Sequence, residues 1–139
     1  MRLWHKDLIP VLPNFMLVSQ WRECCCIAKL LANNKTPNHR LVNPILQYPS
    51  DHFYEYTQMV IHEMQNRNYN VSIKAIQNFN ENFYKWSGSY FFTTKKQIIF
   101  KDWHNNRYLK QCFYNLQEKY DRGIIAEDEW NKINSLLLL

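Results

Sequence analysis

Glycine is almost missing from this chain: Gly88 and Gly123 are the only two in 139 residues. Glycine-rich phosphate loops, dinucleotide-binding turns and sandwiches built on tight turns all need more. No apolar run approaches the ~20 residues that span a bilayer. Residues 1–12 carry Arg2, Lys6 and Asp7 rather than the sustained apolar stretch of a signal peptide. Metal-ligand spacing is absent as well. His5, His39, His52, His62 and His104 include no pair at i, i+4, so no metal site and no cofactor is expected. The four cysteines offer no disulfide framework, because Cys24, Cys25 and Cys26 are consecutive and would point about 100° apart on a helix. They read as reduced, small hydrophobes of an intracellular protein.

Acidic residues are scarce at one end. The first forty residues hold six basic side chains (Arg2, Lys6, Arg22, Lys29, Lys35, Arg40) against Asp7 and Glu23, so +4 of the net +5 lies there. A basic segment suits an anionic partner, most commonly nucleic acid. Hydrophobic residues are 46% and charged residues 21% of the chain, a globular balance, and the length fits a single domain spanning 1–139. Aromatic residues reach 16%, read first as core and second as stacking surface for bases.

The pattern along the chain is helical. A short extended lead-in ends at Pro10 and Pro13, and Asn14 is expected to cap a helix to about residue 31. Leu17, Trp21, Cys24, Ala28 and Leu31 form its core stripe at 4-3-4-3 spacing. Met16, Ile27 and Leu30 make a second apolar row that flanks Glu23. After an irregular loop over 32–49, Ser50 or Asp51 opens a helix to about residue 67 that buries Phe53, Thr57, Val60 and Met64. Ser72 caps a shorter one to about residue 85 that uses Ile73, Ile76, Phe79 and Phe83. Residues 86–101 are the least regular stretch, with room for a β-ribbon around 90–93 and 97–100. Asp102 is expected to cap a helix to about residue 122, with Leu109, Cys112, Phe113, Leu116 and Tyr120 inward. Gly123 closes it, and an amphipathic helix with acidic residues in its first turn follows over 126–138. The class is all-α, with four to five helices and a small ribbon near 90–100.

Two groups could carry chemistry. Glu23, on a mostly apolar stripe beside Arg22, is either a salt-bridged structural carboxylate or a functional acid/base. The other is the chain terminus. An α-amino group with a pKa near 7.7–8.0 is roughly a tenth to a fifth unprotonated at pH 7, whereas a lysine at about 10.4 offers well under a thousandth. A terminal amine is therefore a ready nucleophile for an electrophilic sugar carbon. The bulk of Arg2 is expected to keep the initiator methionine in place, leaving the free amine on Met1. The polar run Trp103-His104-Asn105-Asn106-Arg107 at a helix start is suited to reach a phosphate.

The opening Met1-Arg2-Leu3-Trp4 and the later Ser19-Gln20-Trp21-Arg22-Glu23 resemble the pyrimidine-dimer DNA glycosylases of the endonuclease V-like, phage type. Residues 31–35, 61–71 and 104–120 fit as well. The resemblance implies a compact all-α domain in which the terminal amine attacks C1′ of a damaged nucleotide, expels the base as a Schiff base forms, and breaks the strand by β-elimination. It assigns catalysis to Met1 and Glu23, with the carboxylate stabilising the cationic intermediate and moving protons. It places Arg2, Arg22 and Lys119 on the DNA, and His5, Gln20, Lys35, Arg40 and His104 are expected to contact it too. Damaged double-stranded DNA is the implied partner. The protein is expected to be a monomer without metal or membrane attachment, in the cytoplasm of a bacterial or phage-infected cell and associated with the nucleoid. Three departures stand out. The phage member exposes a threonine amine, two of its DNA-contacting arginines fall here on Cys26 and Asn115, and its aromatic C-terminal segment is replaced by residues 126–139. Three rivals to a dimer-specific enzyme follow: a glycosylase for another damaged or modified base, a DNA-binding protein on the same scaffold without catalysis, and an interaction protein assembling through the apolar C-terminal helix.

Overall fold

The 4-3-4-3 stripe forms the buried face of the longest element. In the computed structural model, which describes residues 1–88 and 97–137, α1 (Asn14–Ala32) buries Leu17, Trp21, Cys24, Ala28 and Leu31. It packs against α2 (Ser50–Asn66) and α3 (Ile73–Ser87). α4 (Asn106–Asp121) and α5 (Glu127–Leu137) pack on one another, and α5 also meets a 3-10 turn at Lys6–Val11. The described residues contain these five α-helices, that turn and a second 3-10 turn at Asn43–Gln47, with no strand. The chain is all-α. Of the expected ribbon, 90–93 lies outside the described residues, and 97–100 runs without regular structure into a bend.

Aromatic rings close the α1–α2–α3 layer. Phe79 of α3 lies 5.8 Å from Phe53 of α2 and 6.0 Å from Trp21 of α1, and Phe83 lies 5.3 Å from Tyr54, all tilted or edge-on as ring quadrupoles prefer. Phe53, Thr57, Val60 and Met64 are buried as the spacing predicts. On α3 the inward row begins later than expected: Ile73 is 74% exposed, because it is the first residue of the helix and precedes the turns that reach α1. On α4, Cys112 and Leu116 are buried and Leu109, Phe113 and Tyr120 are partly covered, while Tyr108 joins the core. The apolar face of α5 is spent internally, with Trp130 stacked 5.1 Å from Tyr120 and Ile133 fully buried.

Three expected boundaries shift. Pro13 is the N-cap of α1, and Asn14 is its first helical residue. Proline has no side-chain acceptor, so the exposed Asn14 amide donates instead to Glu129 Oε2 of α5 at 3.3 Å. The lead-in is only partly extended, because residues 6–11 coil into a 3-10 turn. His5 Nδ1 caps that turn by accepting from the Asp7 amide at 3.1 Å, and Pro10 lies within it. So short a helix has few internal bonds for the missing Pro10 N–H to break. At α4, Asn105 replaces Asp102 as cap, its Oδ1 accepting from the Tyr108 amide at 2.9 Å. The preceding residues are committed to a turn in which the Trp103 and His104 amides both donate to the Phe100 carbonyl. Phe100 is fully buried at φ +50, a left-handed backbone held by its amide bond to His52 Nδ1 at 3.1 Å. Ser72 caps α3 as expected, and Gly123 follows α4 at φ +79.

Candidate active site

Residues 2–5 approach the helices ahead of the 3-10 turn with no neighbouring strand among the described residues, and side chains satisfy the backbone of residues 2–6 instead. The amides of Arg2, Trp4 and Lys6 donate in alternation to Glu23 Oε2 (3.3 Å), Gln20 Oε1 (2.9 Å) and His104 Nδ1 (2.9 Å). The carbonyls of Arg2, Leu3 and Trp4 accept from Gln20 Nε2 (2.9 Å), the Tyr108 hydroxyl (2.6 Å) and the Tyr56 hydroxyl (2.6 Å). Side chains from α1, α2 and α4 thus grip one short segment, with His104 just ahead of α4. The buried Leu3, Leu8, Ile9 and Leu12 anchor it from beneath.

Gln20 is the hub. It is buried, its Oε1 also lies 3.1 Å from the Tyr56 hydroxyl, and its Nε2 donates a second time, to Glu23 Oε2 at 3.2 Å. Gln20 and Glu23 are three positions apart, so one face of α1 presents both. Glu23 is partly exposed, and the oxygen that takes the Arg2 amide also takes the Gln20 amide. Standard bond lengths then place the Met1 amine within about 8 Å of that oxygen. Met1 itself is 43% exposed.

Beside Glu23 opens a cavity of about 170 Å³, with Trp4, Phe15, Met16, Lys119 and Ile124 in its wall. Lys119 therefore sets a cation across the same space as the carboxylate. The Arg2 guanidinium lies 4.9 Å over the Trp4 ring and 3.8 Å from Cys112 Sγ, a placement in which the ring face attracts the cation. Phe15 and Ile124 are half exposed at 50% and 44%, an apolar lip on an opening whose charges are Glu23 and Lys119.

The other expected contact residues are spread out. Arg22 is exposed on α1 next to Glu23, and Lys35 and Arg40 are exposed on the loop after α1, with Arg40 lining a different cavity. His5 and His104 lie inside, 2% and 5% exposed, with rings stacked at 5.1 Å behind the Lys6 amide. Burial drives His104 down to about 2, helped by the nearby His5 and Lys6 charges, and also lowers His5 against the pull of Asp7. Both are neutral imidazoles near neutral pH. Because His104 Nδ1 accepts from Lys6, the ring proton sits on Nε2. That atom is buried without a hydrogen-bond partner among the described residues, and the Trp103 ring stands edge-on to the imidazole 4.6 Å away. Burial raises Tyr56 and Tyr108, so both hydroxyls keep their protons and remain donors. Their clamping role, like that of Gln20, was not visible in the sequence, because a lone tyrosine on an apolar stripe gives no sign of which carbonyl it will meet.

The cysteines behave as packing groups: Cys24 and Cys112 are fully buried and all four are free. Burial raises Cys24, and Cys25 is pushed up to about 11; Cys26 alone is exposed. Among the described residues no three His, Cys, Asp or Glu side chains gather to hold a metal ion, and no helix is long and apolar enough to cross a membrane.

Such a site defines an α-helical domain that holds the backbone of its first residues against a carboxylate, beside a cavity that a lysine also lines. The family described as pyrimidine dimer DNA glycosylase matches residues 1–77, more than half of the chain, and the protein belongs to that family. It is a DNA-repair glycosylase by family, with DNA as its substrate. The matched span contains Met1, Arg2, Gln20, Arg22 and Glu23, whereas His104 and Lys119 lie beyond it. No curated protein and no solved structure matches the chain.

Proposed function

We propose that the protein is a glycosylase with abasic-site lyase activity that uses the Met1 amine as nucleophile and Glu23 as acid and base. The observation that carries this reading is the hydrogen bond from the Arg2 amide to Glu23 Oε2, which holds the first peptide unit against the carboxylate at the mouth of a cavity. The unprotonated amine adds to C1′ as the glycosidic bond breaks, and the base leaves with the bonding electrons and gains a proton. Glu23 takes the proton the amine loses and returns one to the sugar ring oxygen as the ring opens, leaving an iminium on C1′. Loss of a C2′ proton then drives departure of the 3′ phosphate, and water hydrolyses the iminium to restore the amine.

The cationic intermediate forms where the Glu23 carboxylate can stabilise it, and Lys119 across the cavity suits a phosphate or the departing base. Arg2 and Arg22 flank the carboxylate and serve the phosphates near the lesion, with Lys35 and Arg40 further out on the loop. Gln20, Tyr56, Tyr108 and His104 are positioning residues that fix residues 2–6. His5 supports His104 by stacking. Damaged duplex DNA is the substrate of this reading, and pyrimidine dimers are the lesion the family's description names.

The test uses untagged protein, sodium borohydride and two labelled duplexes, one with a thymine dimer and one with an abasic site. Borohydride reduces an imine, so covalent complexes on both duplexes, mapped by peptide mass to Met1, are expected. Trapping at the abasic site alone would keep the lyase and remove dimer excision. Salt-sensitive binding with no trapping on either duplex would overturn the chemistry in favour of a DNA-binding protein.

A further inference from the structure

A second cavity, of about 270 Å³, opens between the loop after α1 and the start of α4. Arg40, Asp102, Trp103, Arg107, Tyr108 and Gln111 are among its lining residues. Arg40 comes from the loop and Arg107 from the first turn of α4, so two guanidinium groups distant in sequence share one concavity. Both are exposed, and among the described residues neither forms an ion pair with a carboxylate, although Asp102 lines the same space. Arg67 shows the contrast. Its guanidinium is consumed by Glu63 and by the carbonyls of Ile9, Pro10 and Leu12. The first turn of α4 has no acidic residue to oppose its dipole, so the positive helix end adds to the two cations. Trp103 is half-buried and supplies an aromatic surface in the same wall.

We propose that this cavity is a nucleotide-phosphate subsite, in which Arg40 and Arg107 hold a phosphate group and Trp103 packs against the attached sugar or base. Planar guanidinium forks suit phosphate oxygens, and indole faces suit bases. The source assigned to it is a phosphodiester of the same DNA that enters the Glu23 site, and to that extent the inference rests on the proposed function. Tyr108 joins the two places physically: it lines this cavity while its hydroxyl holds the Leu3 carbonyl, one residue from the Arg2 amide that bonds Glu23. On this reading a duplex engaged at Glu23 extends to the Arg40–Arg107 wall, a path that the salt-slope experiment below tests.

The experiment measures binding of a duplex carrying a tetrahydrofuran abasic analogue between 50 and 200 mM salt, for wild type, R40Q/R107Q and R40K/R107K. Each neutralised phosphate contributes about 0.9 to the slope of log affinity against log salt. The glutamine pair is expected to flatten the slope by roughly one, and the lysine pair to restore it. Coincident melting curves would show that these surface changes leave the fold intact. An unchanged slope in R40Q/R107Q overturns a strand phosphate at this place. Titration with a deoxynucleoside 5′-monophosphate separates the two sources. Saturable binding that R40Q/R107Q abolishes would assign the cavity to a free nucleotide, whereas a flattened slope without such binding assigns it to the strand. Absence of both overturns the subsite. Wild-type binding without borohydride trapping would sink the proposed chemistry and leave the subsite standing, and trapping with an unchanged slope would do the reverse.

Discussion

The Arg2 amide donates to Glu23 Oε2 at 3.3 Å, a bond between the second residue of the chain and the middle of its longest helix. It ties the backbone at residue 2 to α1, because any movement of the Arg2 amide must break the bond or drag the carboxylate. Gln20 reinforces this by donating to the same oxygen and to the Arg2 carbonyl. The three groups form a closed loop of hydrogen bonds that fixes both the peptide unit following Met1 and the Glu23 oxygen it donates to.

Glu23→Gln is the substitution that separates charge from geometry. A carboxamide oxygen can still accept from Arg2 and Gln20, so the melting temperature should move little. Proton transfer and stabilisation of the cation are lost, and single-turnover strand cleavage at an abasic site should fall by about 10²-fold or more. A variant that cuts at the wild-type rate would remove Glu23 from the chemistry.

Gln20→Ala should behave in the opposite way. It leaves the Trp4 amide and the Arg2 carbonyl without their partners inside a buried cluster, and each abandoned group costs about 1–3 kcal/mol. Urea unfolding is expected to show a loss of about 2–6 kcal/mol, with slower cleavage as a consequence of a loosened N-terminal segment. Unaltered stability would mean that residues 2–4 are held chiefly by their apolar contacts.

The helices were legible because their apolar spacing is strong: the α1 stripe, the Phe53–Met64 row and the Ser72 cap all fall where the periodicity puts them. Glu23 and the Met1 amine could be named from the residues, Arg2 and Lys119 through the family resemblance, and the structure bonds the Arg2 amide to Glu23 at the middle of α1 while Lys119 lines the cavity beside it. Their roles remain a proposal. The clamp could not be read. Tyr56 and Tyr108 fell outside the apolar rows read from the spacing, and their function depends on which backbone carbonyl each hydroxyl reaches across 52 and 105 residues. The caps at Pro13 and Asn105 were missed for a related reason. A side chain remote in sequence, Glu129, serves the α1 terminus, and the Phe100–His104 turn claims the residues before α4.

Arg67 gives a prediction about stability alone. Its guanidinium donates to the Leu12 carbonyl at 2.6 Å, to Asn14 Oδ1 at 2.9 Å and to the Ile9 and Pro10 carbonyls, fastening the end of the first 3-10 turn to α2. Lysine carries the charge but cannot fork over four acceptors. Arg67→Lys should therefore destabilise by about 1–3 kcal/mol while DNA affinity at a temperature well below melting stays close to wild type. A fall in DNA affinity without loss of stability would instead make Arg67 part of the interface.

The stacked pair His5 and His104 predicts how the protein responds to acid. His104 is held neutral, its pKa down at about 2 because burial penalises the charged ring, and His5 is shifted the same way. The unfolded chain binds these protons at about pH 6.5 and the native chain does not, so the unfolded state holds more protons wherever the pH is below that value. The contribution of neutral His104 is complete above pH 6.5 and is lost progressively as pH falls towards 2, by up to about 1.4 kcal/mol per pH unit. Unfolding free energies should be nearly level from pH 7.5 to about 6.5 and then fall with a slope growing towards this value by pH 5, above the range in which carboxylates dominate, with His5 adding in the same direction. His104→Asn still offers an oxygen to the Lys6 amide and has no proton to gain, so its profile should be flatter by about one proton. Equal slopes for the two proteins would show that His104 protonates without leaving its buried place, and that the aromatic box around it tolerates the charge.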